Sequence, residues 1–129
     1  MLKLSLPLHV QVSRNNKFIL NLNNYRNAHF QVLDKAKKLY VGEVLAALPP
    51  APEKFTGKAE MIFTLFQPTN RRVDKSNPLS IIEKFACDAL VELGIFPDDC
   101  TKYMPLTIYV WGGVDKNNPR CDVEIRGII

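Results

Sequence analysis

Leu2, Leu4, Leu6, Leu8, Val10 and Val12 alternate with Lys3, Ser5, Pro7, His9, Gln11 and Ser13. A period of two is that of a half-buried strand, and Pro7, on its outer face, marks an edge position because proline cannot donate to a ladder. Asn15-Asn16 predicts a turn, and Lys17–Leu22 a short return strand. The period then changes. Phe30, Leu33, Tyr40, Val44 and Leu48 share one face at helical spacing, while Asp34, Lys35, Lys38 and Glu43 lie elsewhere on the circumference. Asn24 or Asn27 is placed to cap this helix, and Pro49-Pro50 ends it. A second alternating segment follows at Lys58–Phe66.

The polar stretch Gln67–Val73 leads to a second helix over about Pro78–Leu93. Asn77 suits its N-cap, Pro78 its first helical position and Gly94 its left-handed C-terminal position. Its buried stripe is Ile82, Phe85, Ala86, Ala89, Leu90 and Leu93. Two further strands are predicted at Tyr103–Trp111 and Cys121–Ile128, joined by the turn-rich Gly112–Pro119. The sum is a single α+β domain over residues 1–129, with one mixed or antiparallel sheet and two main helices. Met61, Phe63 and Leu65 read as strand core. Trp111, at a strand end, reads as core or a dimer contact in preference to a base-stacking platform.

Composition narrows the class. At 129 residues, 47% hydrophobic and 23% charged, the chain matches a soluble globular domain with a single core. No apolar run approaches the roughly 18 residues of a membrane helix. Pro7, His9 and Gln11 interrupt any signal-peptide core, so the expectation is a cytoplasmic protein with no membrane partner. Cys87, Cys100 and Cys121 are odd in number and lack a C-x-x-C pair, which argues for reduced thiols. Cys87 has no histidine near it in sequence and reads as a packing residue. With only two histidines, any metal must be held by oxygen ligands.

Charge adds a direction. Residues 1–73 carry a net +7 and residues 74–129 a net −3. A basic half joined to an acid-studded half suits a polyanion binder with acidic chemistry inside its footprint; an uneven split by chance is the plain alternative. The acids that matter lie between Asn70 and Asp99. Asp74 precedes the second helix, Asn77, Lys84 and Asp88 project on a similar side of it, and Asp98-Asp99 follow its end. Carboxylates gathered this way repel unless a hard cation such as Mg²⁺ neutralises them. Arg71, Arg72 and Lys75 flank them as phosphate ligands. The alternative is a loop acid, a solvated turn and an exposed helix pair.

The run R-x-D-x-x-N, then E-K-F-x-C-D-A-L, then G-x-x-x-D-D resembles the RusA family of Holliday junction resolvases. Leu22-Asn23-Asn24-Tyr25-Arg26 is similar to the family's opening before its first helix, and the last two strands match in order. The resemblance covers nearly the whole chain. It implies a small endodeoxyribonuclease of phage or prophage origin, working in a bacterial cytoplasm. It further implies a homodimer that uses Mg²⁺ (Mn²⁺ as substitute), no organic cofactor, and cuts four-way DNA junctions. Carried over, Asp74 is a metal ligand, Asn77 the motif's Asn, Lys84 the lysine beside the scissile phosphate, and Asp88 the Asp of D-A-L. Asp98 and Asp99 are the paired acids, Asp99 the indispensable one.

Two departures stand out. Ser76 occupies the position of the motif's second acid, and four residues, Pro78–Ile81, are added between Asn77 and Lys84. Four residues are close to one helical turn, so Lys84 and Asp88 keep their face. The third carboxylate is then Glu83, Asp88 or Asp98, with Asp88 preferred because it shares the face of Lys84, or the metal is held with fewer charges. The expected catalytic set is Asp74, Lys84, Asp88 and Asp99, with Asp98 as a further ligand. Arg26, Arg71, Arg72, Lys75 and Asn77, joined by Tyr25, form the expected DNA contacts. Asp74→Asn and Asp99→Asn are both expected to abolish cutting. The rival expectation is a degenerate relative that binds branched DNA without cutting it. A weaker third is a protein-binding domain with solvated acids.

Overall fold

Pro7 cuts the N-terminal alternation in two. In the computed structural model, which describes residues 1–128, the chain forms β1 (Leu2–Leu6), β2 (His9–Ser13), β3 (Asn16–Ile19), α1 (Leu22–Asn27) and α2 (Phe30–Ala47). It continues through β4 (Ala59–Gln67), α3 (Ser76–Glu92), β5 (Leu106–Val114) and β6 (Arg120–Gly127). The long strand expected over Leu2–Val12 is therefore two strands in two sheets. β1 pairs with β6, while β2 and β3 form a separate hairpin. Proline's missing N–H ends the ladder. Its carbonyl is used instead: the Tyr40 hydroxyl donates to Pro7 O at 2.9 Å, tying α2 to the break.

The main sheet is mixed, in the order β1-β6-β4-β5. β1 takes the edge position that Pro7 suggested. β4 and β5 run parallel with α3 between them in sequence, and β6 is antiparallel to both β1 and β4. The alternation of Ala59–Gln67 translates directly into a strand with every second residue buried. Met61, Phe63, Leu65, Val123 and Ile125 join Tyr40, Val44, Ile82, Phe85 and Leu90 in one core cluster. Each such large side chain stabilises the fold by about 1.5–3 kcal/mol relative to exposure. Cys87 is part of that core, its thiol against Met61 Sδ at 3.8 Å, and burial pushes its pKa up.

Among the described residues there are three helices where the pattern predicted two main ones. The extra α1 is short and begins at Asn21, whose carboxamide oxygen accepts from Asn24 N at 2.8 Å. α2 is capped by His29 rather than by Asn24 or Asn27: its Nδ1 accepts from Gln31 N at 3.2 Å. Phe30, expected on the buried face, is the first helical residue, is 71% exposed and stacks on His29 instead. α3 ends as predicted, on Gly94 with φ of 78°. β5 starts at Leu106, later than Tyr103, because Cys100–Tyr103 closes a turn. Among the described residues, no helix is long and apolar enough to cross a membrane.

Candidate functional site

α3 positions most of the predicted site residues, and its two ends treat them differently. At the start of the helix, Asp74 Oδ1 accepts from Ser76 N at 3.0 Å and Asp74 O accepts from Asn77 N at 3.1 Å. Asp74 thus satisfies the exposed first turn, a role the pattern gave to Asn77. Asn77 reaches across instead, its Oδ1 accepting from Leu22 N at 3.0 Å and satisfying the first turn of α1. α3 starts two residues earlier than expected, so Pro78 is its third residue instead of its first, still within the first turn where no intrahelical N–H is needed. Arg71, Arg72, Lys75 and Asp74 are exposed on the loop leading into the helix and line an open cavity together with Trp111.

Asp88 lies about 18 Å farther along the axis of α3 than Ser76. There the loop after α3 returns, and its Asp99 carboxyl comes within hydrogen-bonding reach of the Asp88 carboxyl. Partial burial and then the facing Asp99 hold Asp88 above the ordinary carboxylate range, with Lys37 and Lys84 pulling the other way. Asp98 is engaged locally: its Oδ1 accepts from Asp99 N at 2.8 Å, which fixes the turn that presents Asp99.

Lys84 does not pair with Asp88 as a helix-surface ion pair. Its Nζ lies 5.9 Å from the Tyr25 ring centroid, and Lys37 Nζ lies 5.9 Å from the same centroid. Tyr25 in turn packs edge-on against Phe85, centroids 6.4 Å apart. Two ammonium groups are therefore held around one aromatic ring beside two carboxyls. Arg26, exposed in the last turn of α1, neighbours Tyr25 in sequence. Lys37 was not among the expected residues. Its approach depends on α2 packing on α3, which no local spacing reveals.

Glu83, one candidate for the third acid, has a structural task. Its carboxylate accepts from the Tyr109 hydroxyl and from Thr107 Oγ1 at 3.4 Å, bracing α3 against β5. A cavity of about 480 Å³ beside the acidic pair is lined by Ser80, Glu83, Lys84, Asp99, Thr101 and Tyr109.

The structure thus brings Asp88, Asp99 and Lys84 together and leaves Asp74 and Asn77 at the other end of α3. Among the described residues no group of three or more His, Cys, Asp or Glu side chains is arranged to hold a metal ion. The pair fits a hard cation all the same. Mg²⁺ commonly keeps several waters and takes only one or two carboxylates, with substrate phosphate oxygens completing its shell. Trp111, expected in the core or at a dimer contact, is 51% exposed, while Asp98 is occupied by a local hydrogen bond and Glu83 by its bonds to β5. No protein-family model matches the chain, and no curated protein matches it either.

Proposed function

We propose that this chain is a Mg²⁺-dependent, structure-selective endodeoxyribonuclease of RusA type that resolves four-way DNA junctions by paired nicks. The observation that carries the reading is the Asp88–Asp99 pair with Lys84 and Lys37 beside it. The fold sets two carboxyls against each other at a cost, in a place where neither caps a helix nor braces the core. That arrangement is expected where a cation and a phosphate are to be bound.

In this reading Asp88 and Asp99 hold the metal, which when bound supplies charge neutralisation and an activated water. Lys84 and Lys37 supply the positive charge that meets the nonbridging oxygens of the scissile phosphate and the charge that develops on them. Tyr25 keeps the two ammonium groups in place. Arg26, Arg71, Arg72 and Lys75 grip the flanking backbone, so recognition follows phosphate placement and weakens with salt. Paired nicks in a two-fold symmetric junction call for two such sites, hence a homodimer.

A second reading is favoured by a specific observation. Ser76 replaces an acid and Asp74 is engaged in capping, so the donor set is small. A protein so built would bind branched DNA without cutting it. An end-labelled four-way junction with Mg²⁺, run beside a linear duplex of the same sequence, separates the two. Symmetric nicks in the junction alone are expected. Salt-sensitive junction binding with no nick in Mg²⁺ or Mn²⁺ establishes the second reading, and no binding at all defeats both.

A further inference from the structure

Trp111 is the chain's single tryptophan, and the fold spends a specific device on presenting it. β4 and β5 keep step as far as Leu65 opposite Trp111, after which Phe66 lies opposite Gly113. Gly112 is the extra residue of this bulge. A Cβ there would stand 2.7 Å from Thr64 Cγ2 and 2.8 Å from the Phe66 ring, so only glycine permits the close approach. Bulges of this kind re-aim the neighbouring side chain. The indole is then fixed by a hydrogen bond from its Nε1 to Gln67 Oε1 at 2.7 Å, while 51% of the residue stays exposed. An aromatic ring both anchored and open is arranged for contact with something outside the chain.

What lines the space beside it says what that partner is. Trp111, Gln67, Asn70, Arg71, Arg72 and Lys75 border an open cavity of about 460 Å³. Three cations stand against one acid, and that acid, Asp74, is already held by the Ser76 N–H. An apolar protein partner would find only Val73 in the lining beside the indole. A nucleotide finds a stacking surface for its base, an amide for the base edge and guanidinium and ammonium groups for its phosphates.

We propose that this cavity binds one unpaired nucleotide of a DNA strand, its base stacked on Trp111 and its phosphates held by Arg71, Arg72 and Lys75. The site is distinct from the Asp88–Asp99 pair. It rests on the reading above only in taking the strand to be DNA at a branch, where bases are free to unstack.

The single indole is its own reporter. Titration with octathymidylate is expected to quench Trp111 emission saturably, and an abasic oligomer of equal length is expected to bind more weakly and quench little. The affinity for octathymidylate should fall with salt at a log–log slope of about −2, the release expected when the three cations meet three backbone phosphates, the two flanking the stacked nucleotide and the next along the strand. Followed with a labelled oligomer, Trp111→Phe should bind nearly as wild type and Trp111→Ala roughly 5- to 150-fold more weakly. Circular dichroism checks that each variant is folded, and Trp111→Phe paired with Arg72→Gln serves if Trp111→Ala is not. Equal binding and quenching by the abasic oligomer overturns the proposal. So does emission that shifts with protein concentration and not with oligomer, which places Trp111 between copies of the chain. Nicking of junctions by a protein that shows no quench defeats this inference alone. A quench in a protein that never nicks supports it and defeats the cutting reaction alone.

Discussion

The two ends of α3 carry similar residues and use them in opposite ways. At the first end Asp74 and Asn77 are each spoken for, one holding Ser76 N and the other Leu22 N, so their polarity lowers the free energy of the fold. Toward the other end Asp88 and Asp99 face one another and raise it, with Lys84 and Lys37 in partial compensation. The same residue types thus serve as scaffolding where they meet unpaired backbone N–H groups and as a candidate reaction centre where they meet each other. A charged pair that the fold would be better off without is the stronger functional sign.

The largest effect should come from the second end. Asp99→Asn removes one of the two carboxylates proposed to hold the metal, and nicking of a four-way junction should fall at least about a hundredfold while junction binding stays within a few-fold. Asp74→Asn should keep most of its activity, since asparagine accepts from Ser76 N as aspartate does. A gel assay of initial nicking rates at saturating Mg²⁺ decides it. Equal losses in the two variants would erase the contrast between the ends.

Gly112→Ala comes next. The added methyl meets Thr64 and Phe66, both packed into the sheet, and should destabilise the protein by about 1–3 kcal/mol in urea unfolding. Asn77→Ala leaves Leu22 N without its acceptor and should cost about 1 kcal/mol, largely restored in Asn77→Asp. An unchanged midpoint in Asn77→Ala would release Asn77 from its structural role and return it to the list of DNA contacts.

The smallest effect is the most diagnostic of conflict. Without metal, Asp88→Asn should stabilise the protein, solvent screening holding the gain to about 0.5 kcal/mol near neutral pH. Because the folded state raises the pKa of Asp88, that carboxyl opposes folding only once it ionises. The wild type should therefore match the variant in acid and lose ground as pH rises through the raised pKa. A gap that narrows with rising pH would contradict this assignment.

Much of this was legible in the chain. The alternation of Ala59–Gln67, the apolar stripe of α3 and Gly94 at its end depend on near neighbours and came through intact. What did not come through depends on distance. That Asn77 serves α1 instead of α3 requires knowing that Leu22 lies beside it, and Lys37 enters the site only because α2 packs on α3. Asp74 looked close to Asp99 because both flank one helix in sequence. The rod of α3 does separate Asp74 from Asp88, which lies more than three turns farther along it. The spacing grouped Asp88 with Asp74, Asp98 and Asp99 without singling out a pair; that Asp99 faces Asp88 depends on how the loop after α3 turns back, with Asp98 Oδ1 holding Asp99 N.

The central claim is that the pair at the far end of α3 holds the metal. Its most direct test is a Mn²⁺ titration of the DNA-free protein, read by electron paramagnetic resonance, on wild type, Asp74→Asn and Asp88→Asn. Binding that is alike in wild type and Asp74→Asn and lost in Asp88→Asn is the predicted result. Binding that survives Asp88→Asn and disappears in Asp74→Asn would place the metal at the helix start and contradict the account.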